Sequence, residues 1–151
     1  MPAEVIFRPA VAADLPAIMA LLADDDIART RGGYAGPLPT RAFAEIEADP
    51  RNELVVAAAA DGTVVGTCQL TFIPGLSRGG AERMTIEAVR VRSDLRGAGI
   101  GRRMMAYALG RARARGCALA QLTTDKRRTE AHRFYESLGF VASHEGMKLN
   151  L

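Results

Sequence analysis

The 151-residue chain has no tryptophan, two histidines and two cysteines. Cys68 and Cys117 are too few for a disulfide framework, and their spacing matches no zinc pattern. With His132 and His144 as the sole imidazoles, no metal site is expected. No apolar run approaches the roughly 18 residues of a membrane-spanning helix, so no membrane partner is expected either. The start, MPAEVIFRPA, lacks the basic and apolar segments of a secretory leader, which makes the compartment cytoplasmic by expectation. Lysine is scarce too: Lys126 and Lys148 apart, the 20 basic residues are all arginine. Arginine differs most from lysine where phosphates or carboxylates are gripped bidentately. Against 17 acidic residues the net charge is only +3, too small to imply nucleic acid as a partner. A local cluster can still hold an anionic ligand.

What remains is an ordinary globular composition, 48% hydrophobic and 25% charged, at a length suited to a single domain over residues 1–151. Residues 4–8 alternate as a first strand, and Asp14 opens a helix through Leu15, Ile18, Met19 and Leu22 that ends near Asp24, Asp25 and Asp26. Residues 30–39 are rich in glycine and proline and predict a loop; Phe43 and Ile46 mark a second helix closed by Pro50. Residues 54–60 and 64–73 pair as a hairpin around Asp61-Gly62. Residues 74–80 form a loop, and residues 83–92 a strand whose alternation breaks as a β-bulge between Glu87 and Val91 would break it. A helix over 99–115, a strand over 117–123, a helix over 128–138 with Gly139 as its C′ residue, and two short strands within 140–151 complete the prediction. The order predicts a mixed α/β sheet, not a doubly wound one.

The sharpest local signal is Arg96-Gly97-Ala98-Gly99-Ile100-Gly101, between a strand and an amphipathic helix. Glycines let consecutive N–H groups face one concavity, and the helix start adds unpaired N–H groups and the positive dipole end. Arg96, Arg102 and Arg103 stand ready for charge-assisted contacts. A Walker A loop is excluded, since no lysine or hydroxyl follows Gly101. A dinucleotide fingerprint would follow the first strand and find an acid about 20 residues on, and neither holds. An anion cradle and a tight turn that binds nothing remain.

Residues 90–116, followed by TEAHRFYESLGF, resemble the Gcn5-related N-acetyltransferase superfamily, and within it the small single-domain bacterial members. The first block matches its Arg/Gln-x-x-Gly-x-Gly/Ala loop as Arg96, Gly99 and Gly101; the second matches a late helix as Ala131, Phe134, Tyr135, Glu136, Leu138, Gly139 and Phe140. The resemblance implies a central, mostly antiparallel twisted sheet with a splayed strand pair, flanked by helices. It implies acetyl-CoA as cofactor and transfer of acetyl to a primary amine, on a small molecule or a peptide, by direct attack in a ternary complex. Backbone groups of Val89 and Val91 would bond the pantetheine arm, and amides of Gly97, Ala98, Gly99, Ile100, Gly101 and Arg102 the pyrophosphate. Arg128 stands where many relatives have an asparagine that contacts the cofactor arm. A homodimer is also implied.

Acyl transfer needs a neutral amine, a donor for the oxyanion and a proton for the departing thiolate. Tyr135, the usual general acid of such enzymes, can supply that proton from a phenol near pKa ~10, or can be a packing aromatic. Glu87 lies in an apolar strand where a carboxylate is unexpected, which suits a base or substrate binder; a solvated charge, or one paired with Arg83 or Arg90, is the plainer reading. His132 lies three residues before Tyr135. Cys68 and Cys117 read as buried hydrophobes. Asp24, Asp25 and Asp26 suit a cationic acceptor, whereas Arg31 and Arg78 suit one bearing a carboxylate. A non-catalytic acyl-CoA sensor would keep the cradle without turnover. A DNA-binding regulator would use Arg111, Arg113 and Arg115, although no helix-turn-helix is apparent.

Overall fold

The computed structural model describes residues 4–34 and 36–151; Met1, Pro2 and Ala3, ahead of the expected first strand, and Ala35, inside the expected 30–39 loop, lie outside them. The chain divides into two units, residues 1–121 and 122–151. In the first, β1 (Val5–Pro9) is followed by α1 (Leu15–Ala23), α2 (Asp26–Arg31) and α3 (Thr40–Ala48). Then come β2 (Asn52–Ala59), β3 (Val64–Ile73), β4 (Arg83–Val91), α4 (Ile100–Ala114) and β5 (Leu119–Leu122), with β5 reaching the unit boundary. The strands form one open sheet in the order β1-β2-β3-β4-β5, antiparallel from β1 to β4. This is a mixed α/β fold.

Strand alternation sends neighbouring residues to opposite faces. On one face Ala57 joins Val5, Val65 and Ile100 with Phe7, Val91 and Leu95 against them; on the other Val56 joins Val64, Ile18 and Leu21. Thus α4 covers one side and α1 the other. In α4 the buried residues Ile100, Met104, Ala108 and Ala112 recur every fourth position, the stripe of a helix lying on a sheet. The fully buried Ile100 and Met104 each contribute about 1.5–3 kcal/mol, the two alanines less. Gly116, at φ 75°, ends α4 as a Schellman cap: its N–H donates to Arg113 O at 3.0 Å and Cys117 N–H to Ala112 O at 3.0 Å.

The β2–β3 hairpin turns where Asp61-Gly62 predicts it, with Gly62 at φ 88° and Thr63 N–H donating to Asp61 Oδ1 at 2.9 Å. Arg8 grips the buried Asp14 through two bonds of 2.7 and 3.0 Å, and Val11 N–H donates to the same carboxylate at 2.8 Å. That carboxyl is held below its ordinary range chiefly by the Arg8 bond.

Two expectations fail. Residues 26–31 are a helix rather than the run-in to a loop: the Asp25 side chain accepts from Ile27 N–H at 3.2 Å and caps it. Residues 140–151 contain no strand. Ser143 N–H turns back to Val141 O at 2.9 Å, a turn too tight for an extended strand to pass through.

The second unit is built on α5 (Thr129–Ser137). Gly139, at φ 95°, is its C′ residue as predicted, with Gly139 N–H donating to Glu136 O at 3.0 Å and Phe140 N–H to Tyr135 O at 3.1 Å.

Candidate functional site

The geometry of the site begins with one extra residue in β4. Thr67 faces Arg90 and Gln69 faces Glu87, so two steps along β3 match three along β4. The bulge predicted between Glu87 and Val91 is there, and Ala88 occupies it at φ 52°. A strand's N–H and C=O groups point to alternate neighbours with period two, and the extra residue reverses that phase. Before it, the Glu82 carbonyl faces the β5 side and accepts from Ala118 N–H at 2.8 Å. After it, Arg92 N–H turns to β3 and donates to Val65 O at 2.8 Å. Val89 and Val91, one step out of phase with Arg92, therefore direct their backbone groups away from β3. The Val89 carbonyl accepts from Arg90 Nη1 at 2.9 Å, and the Val91 carbonyl from Arg96 Nε at 3.4 Å.

β4 runs into a short turn over Ser93–Leu95 and then the glycine loop. Gly97 (φ 83°) and Gly99 (φ 84°) both adopt the left-handed conformation, and a methyl group built on either meets no atom within 4 Å. The backbone is thus open to close approach at both positions. Gly99 is also the N-cap of α4 and bears no side chain to occupy the helix's first N–H groups; Arg103 N–H is the first to bond back, to Gly99 O at 3.1 Å. Arg96, Gly97, Ala98 and Arg102 are exposed, Gly101 is half-buried, and Ile100 anchors the loop in the core. Arg103, a candidate anion ligand from sequence, instead donates to Val5 O at 3.1 Å and lies over the Phe7 ring. It ties α4 to β1.

Glu87 is exposed on β4 just before the bulge, and its carboxylate forms no ion pair among the described residues. Neither expected partner takes it. Arg83 Nη1 lies against Gly75, and Arg90 Nη2 pairs with Asp25 Oδ2 at 3.3 Å. Asp24 and Asp26 pair with Arg29 at 3.5 and 2.6 Å. The acidic patch is thereby matched with cations from within the chain. Two of the three arginines at the end of α4 are similarly engaged: Arg111 bonds Glu53 at 2.6 and 3.0 Å, and Arg115 bonds Glu82 at 2.8 and 3.3 Å.

In the second unit, the half-buried Tyr135 ring packs between Phe134, 5.2 Å away, and the edge-on Phe140 at 5.9 Å. His132 Nε2 lies 3.2 Å from Asp125 O, which ties the start of α5 to the preceding loop. Arg128 is half-buried at the N-cap of α5, its Nη2 sheltered from solvent. Cys68 is buried and its thiol is pushed up to about 12 by burial, as an inert core residue should be. Among the described residues no three His, Cys, Asp or Glu side chains gather as metal ligands, and no helix is long and apolar enough to cross a membrane. Sequence reasoning missed Asp25 and Arg90 as a pair, and no local signal joins two positions so far apart in the chain.

An open, mostly antiparallel sheet with a bulged strand leading into a glycine loop and a helix start is the architecture that the resemblance to the acetyltransferases implied. The Acetyltransferase (GNAT) family matches residues 17–140, and the chain belongs to it. A glucosamine 6-phosphate N-acetyltransferase from Trypanosoma brucei brucei is 34% identical over 90 residues, covering 60% of this chain and 59% of that protein's length. Among solved structures, a protein described as a transcriptional regulator from Bacillus halodurans C-125 is 49% identical, covering 98% of this chain and 100% of that one, with a TM-score of 0.93. An acetyltransferase from Trypanosoma brucei is 27% identical over 98% of this chain and 100% of its own, with a TM-score of 0.80.

Proposed function

We propose that this chain transfers the acetyl group of acetyl-CoA to a primary amine by direct attack in a ternary complex. The observation that carries the proposal is the bulge at Ala88, which turns the backbone of Val89 and Val91 outward immediately ahead of the glycine loop. That run fits the cofactor: a strand edge turned away from β3 suits an amide-bearing arm, and open left-handed glycines suit a pyrophosphate. Val89 and Val91 would hold the pantetheine, the amides of Gly97, Ala98, Gly99, Ile100, Gly101 and Arg102 the phosphates, with Arg96 as a cationic partner and Arg128 as a further contact. Bound acetyl-CoA supplies the thioester carbon and a thiolate leaving group. Glu87, which forms no ion pair among the described residues, takes the proton of the attacking amine directly or through water. Tyr135, its ring held by Phe134 and Phe140, donates its phenolic proton to the departing thiolate.

The acceptor is a small-molecule or peptide amine. Internal pairing of Asp24, Asp25 and Asp26 removes the argument for a polycation. The name of the trypanosomal relative makes a phosphorylated amino sugar one acceptor to include. The family match crosses both units, which supports one acetyltransferase domain over residues 1–151. The proposed assembly is a homodimer in the cytoplasm; a monomer mass by sedimentation at micromolar concentration overturns the dimer.

Titrating acetyl-CoA by calorimetry, then assaying an amine panel with a free-thiol readout, tests the whole. Saturable binding with turnover on at least one amine is expected. No heat and no thermal stabilisation at millimolar acetyl-CoA overturns the cofactor assignment, and binding without turnover on any amine makes the protein a sensor.

A further inference from the structure

We propose that Arg90 is a positioning residue for the exposed edge of β4, and that Asp25 holds it in place, so that α2 governs how tightly acetyl-CoA is bound. This rests on the reading of Val89 and Val91 as the cofactor edge. The Arg90 guanidinium spans two partners, with Nη2 at 3.3 Å from Asp25 Oδ2 and Nη1 donating to Val89 O at 2.9 Å. Asp25 is itself fixed, because its other oxygen, Oδ1, accepts from Ile27 N–H at 3.2 Å and caps α2. One carboxylate therefore serves the helix and the guanidinium together. One guanidinium serves the carboxylate and the peptide next to the bulge.

The two side chains are 15% and 13% exposed, so salt screens this pair far less than a surface bridge. The other nearby carboxylates do not compete for Arg90: Asp24 and Asp26 are matched by Arg29, and Glu87 stands on the far side of the bulge. A charge-assisted bond to Val89 O fixes the tilt of that peptide while leaving the carbonyl's second acceptor site available. The tilt needs fixing, since Ala88 holds a conformation that residues with a Cβ seldom adopt. A planar fork presents its donors in fixed, separate directions to both partners, a geometry the single-centred ammonium of lysine does not reproduce.

Two substitutions separate this role from simple anchoring of α2. Asp25→Asn keeps an acceptor for Ile27 N–H and removes the charge; Arg90→Lys keeps the charge and removes the fork. Acetyl-CoA affinity is measured by calorimetry, and ligand protection of individual backbone amides by hydrogen exchange. Each variant should bind about tenfold more weakly, the loss expected when the part-buried, charge-assisted bond from Arg90 to Val89 O is loosened and felt in part at the ligand. The double variant should be no worse than either single one. Protection by acetyl-CoA should fall at Val89 and Val91 and persist at residues 99–102. Unchanged affinity in Asp25→Asn, additive losses in the double variant, or protection falling equally at both segments overturns the proposal. If Arg90→Lys does not fold, Asp25→Asn alone decides. Failure of the unaltered chain to bind acetyl-CoA removes the cofactor reading itself; tight binding by both variants removes this inference and leaves that reading standing.

Discussion

Gly99 separates what the fold requires from what a ligand requires. Its φ of 84° and ψ of 2° lie in the left-handed region, and a methyl group there would touch nothing within 4 Å. Gly99→Ala therefore meets a conformational penalty without a clash. That penalty is about 1–2 kcal/mol, offset by about 0.4–1 kcal/mol from the stiffer unfolded chain. The net loss of about 1 kcal/mol lowers Tm by roughly 2–4 °C in a chain of this size. Gly99→Asn should lower it less, because asparagine enters the left-handed region more readily. Binding should follow a different order. If the open space beside Gly99 is where phosphate oxygens meet the first N–H groups of α4, the larger asparagine blocks it more than alanine does. Losing one or two charge-assisted bonds weakens acetyl-CoA about 10–100-fold. Differential scanning fluorimetry and calorimetry on the two variants give both orders. Gly99→Asn protein that is folded and binds acetyl-CoA within twofold of the unaltered chain refutes the cradle.

Three further outcomes are expected. Tyr135→Phe should leave acetyl-CoA affinity nearly unchanged and reduce turnover on the best amine ~10–1,000-fold where chemistry limits the rate, and full turnover in single-turnover experiments would remove the proton-donor role. Because the Asp14 carboxyl lies below its ordinary 3.8, its contribution to stability is complete above that value and is lost as pH falls further; urea midpoints should drop below about pH 4. Asp14→Asn should flatten that acid limb, and an unaltered limb would discount the Arg8 pair. Finally, Ala88→Val should destabilise by about 1–3 kcal/mol, since a β-branched side chain at φ 52° is strained, whereas Ala88→Gly should match or exceed the parent in urea unfolding; equal stability of the valine variant would contradict the bulge geometry.

Most of the sheet was legible because its signals are local. Asp61-Gly62 marks a turn by its chemistry, and the loop glycines mark positive φ by theirs. The bulge was legible as a defect in alternation, from Ile86 through Val91. The helix over residues 26–31 was not, because the glycines and prolines that follow masked Asp25 as its cap. Nor was the state of residues 140–151. Met147, Leu149 and Leu151 alternate, which specifies faces but names no hydrogen-bonding neighbour, and a strand exists only with one. At the candidate site, residue types gave Glu87 and the cradle, while the pairing of Asp25 with Arg90 joins positions 65 apart in the chain and has no sequence signature.

The bulge also changes what selection can act on. Before Ala88 the strand and its ladder are in one phase; after it they are in the other, like two halves of a lattice joined at a fault. The groups this exposes at Val89 and Val91 are main-chain atoms, which every residue type carries. Substitution at Val91 alters packing against Ile100 of α4 without removing the main-chain groups, so the edge can be kept intact while its side chains change. Residue count is what must be preserved. Loss of one residue between Glu87 and Arg90 would restore the phase and turn the edge inward, even if every remaining side chain were unchanged.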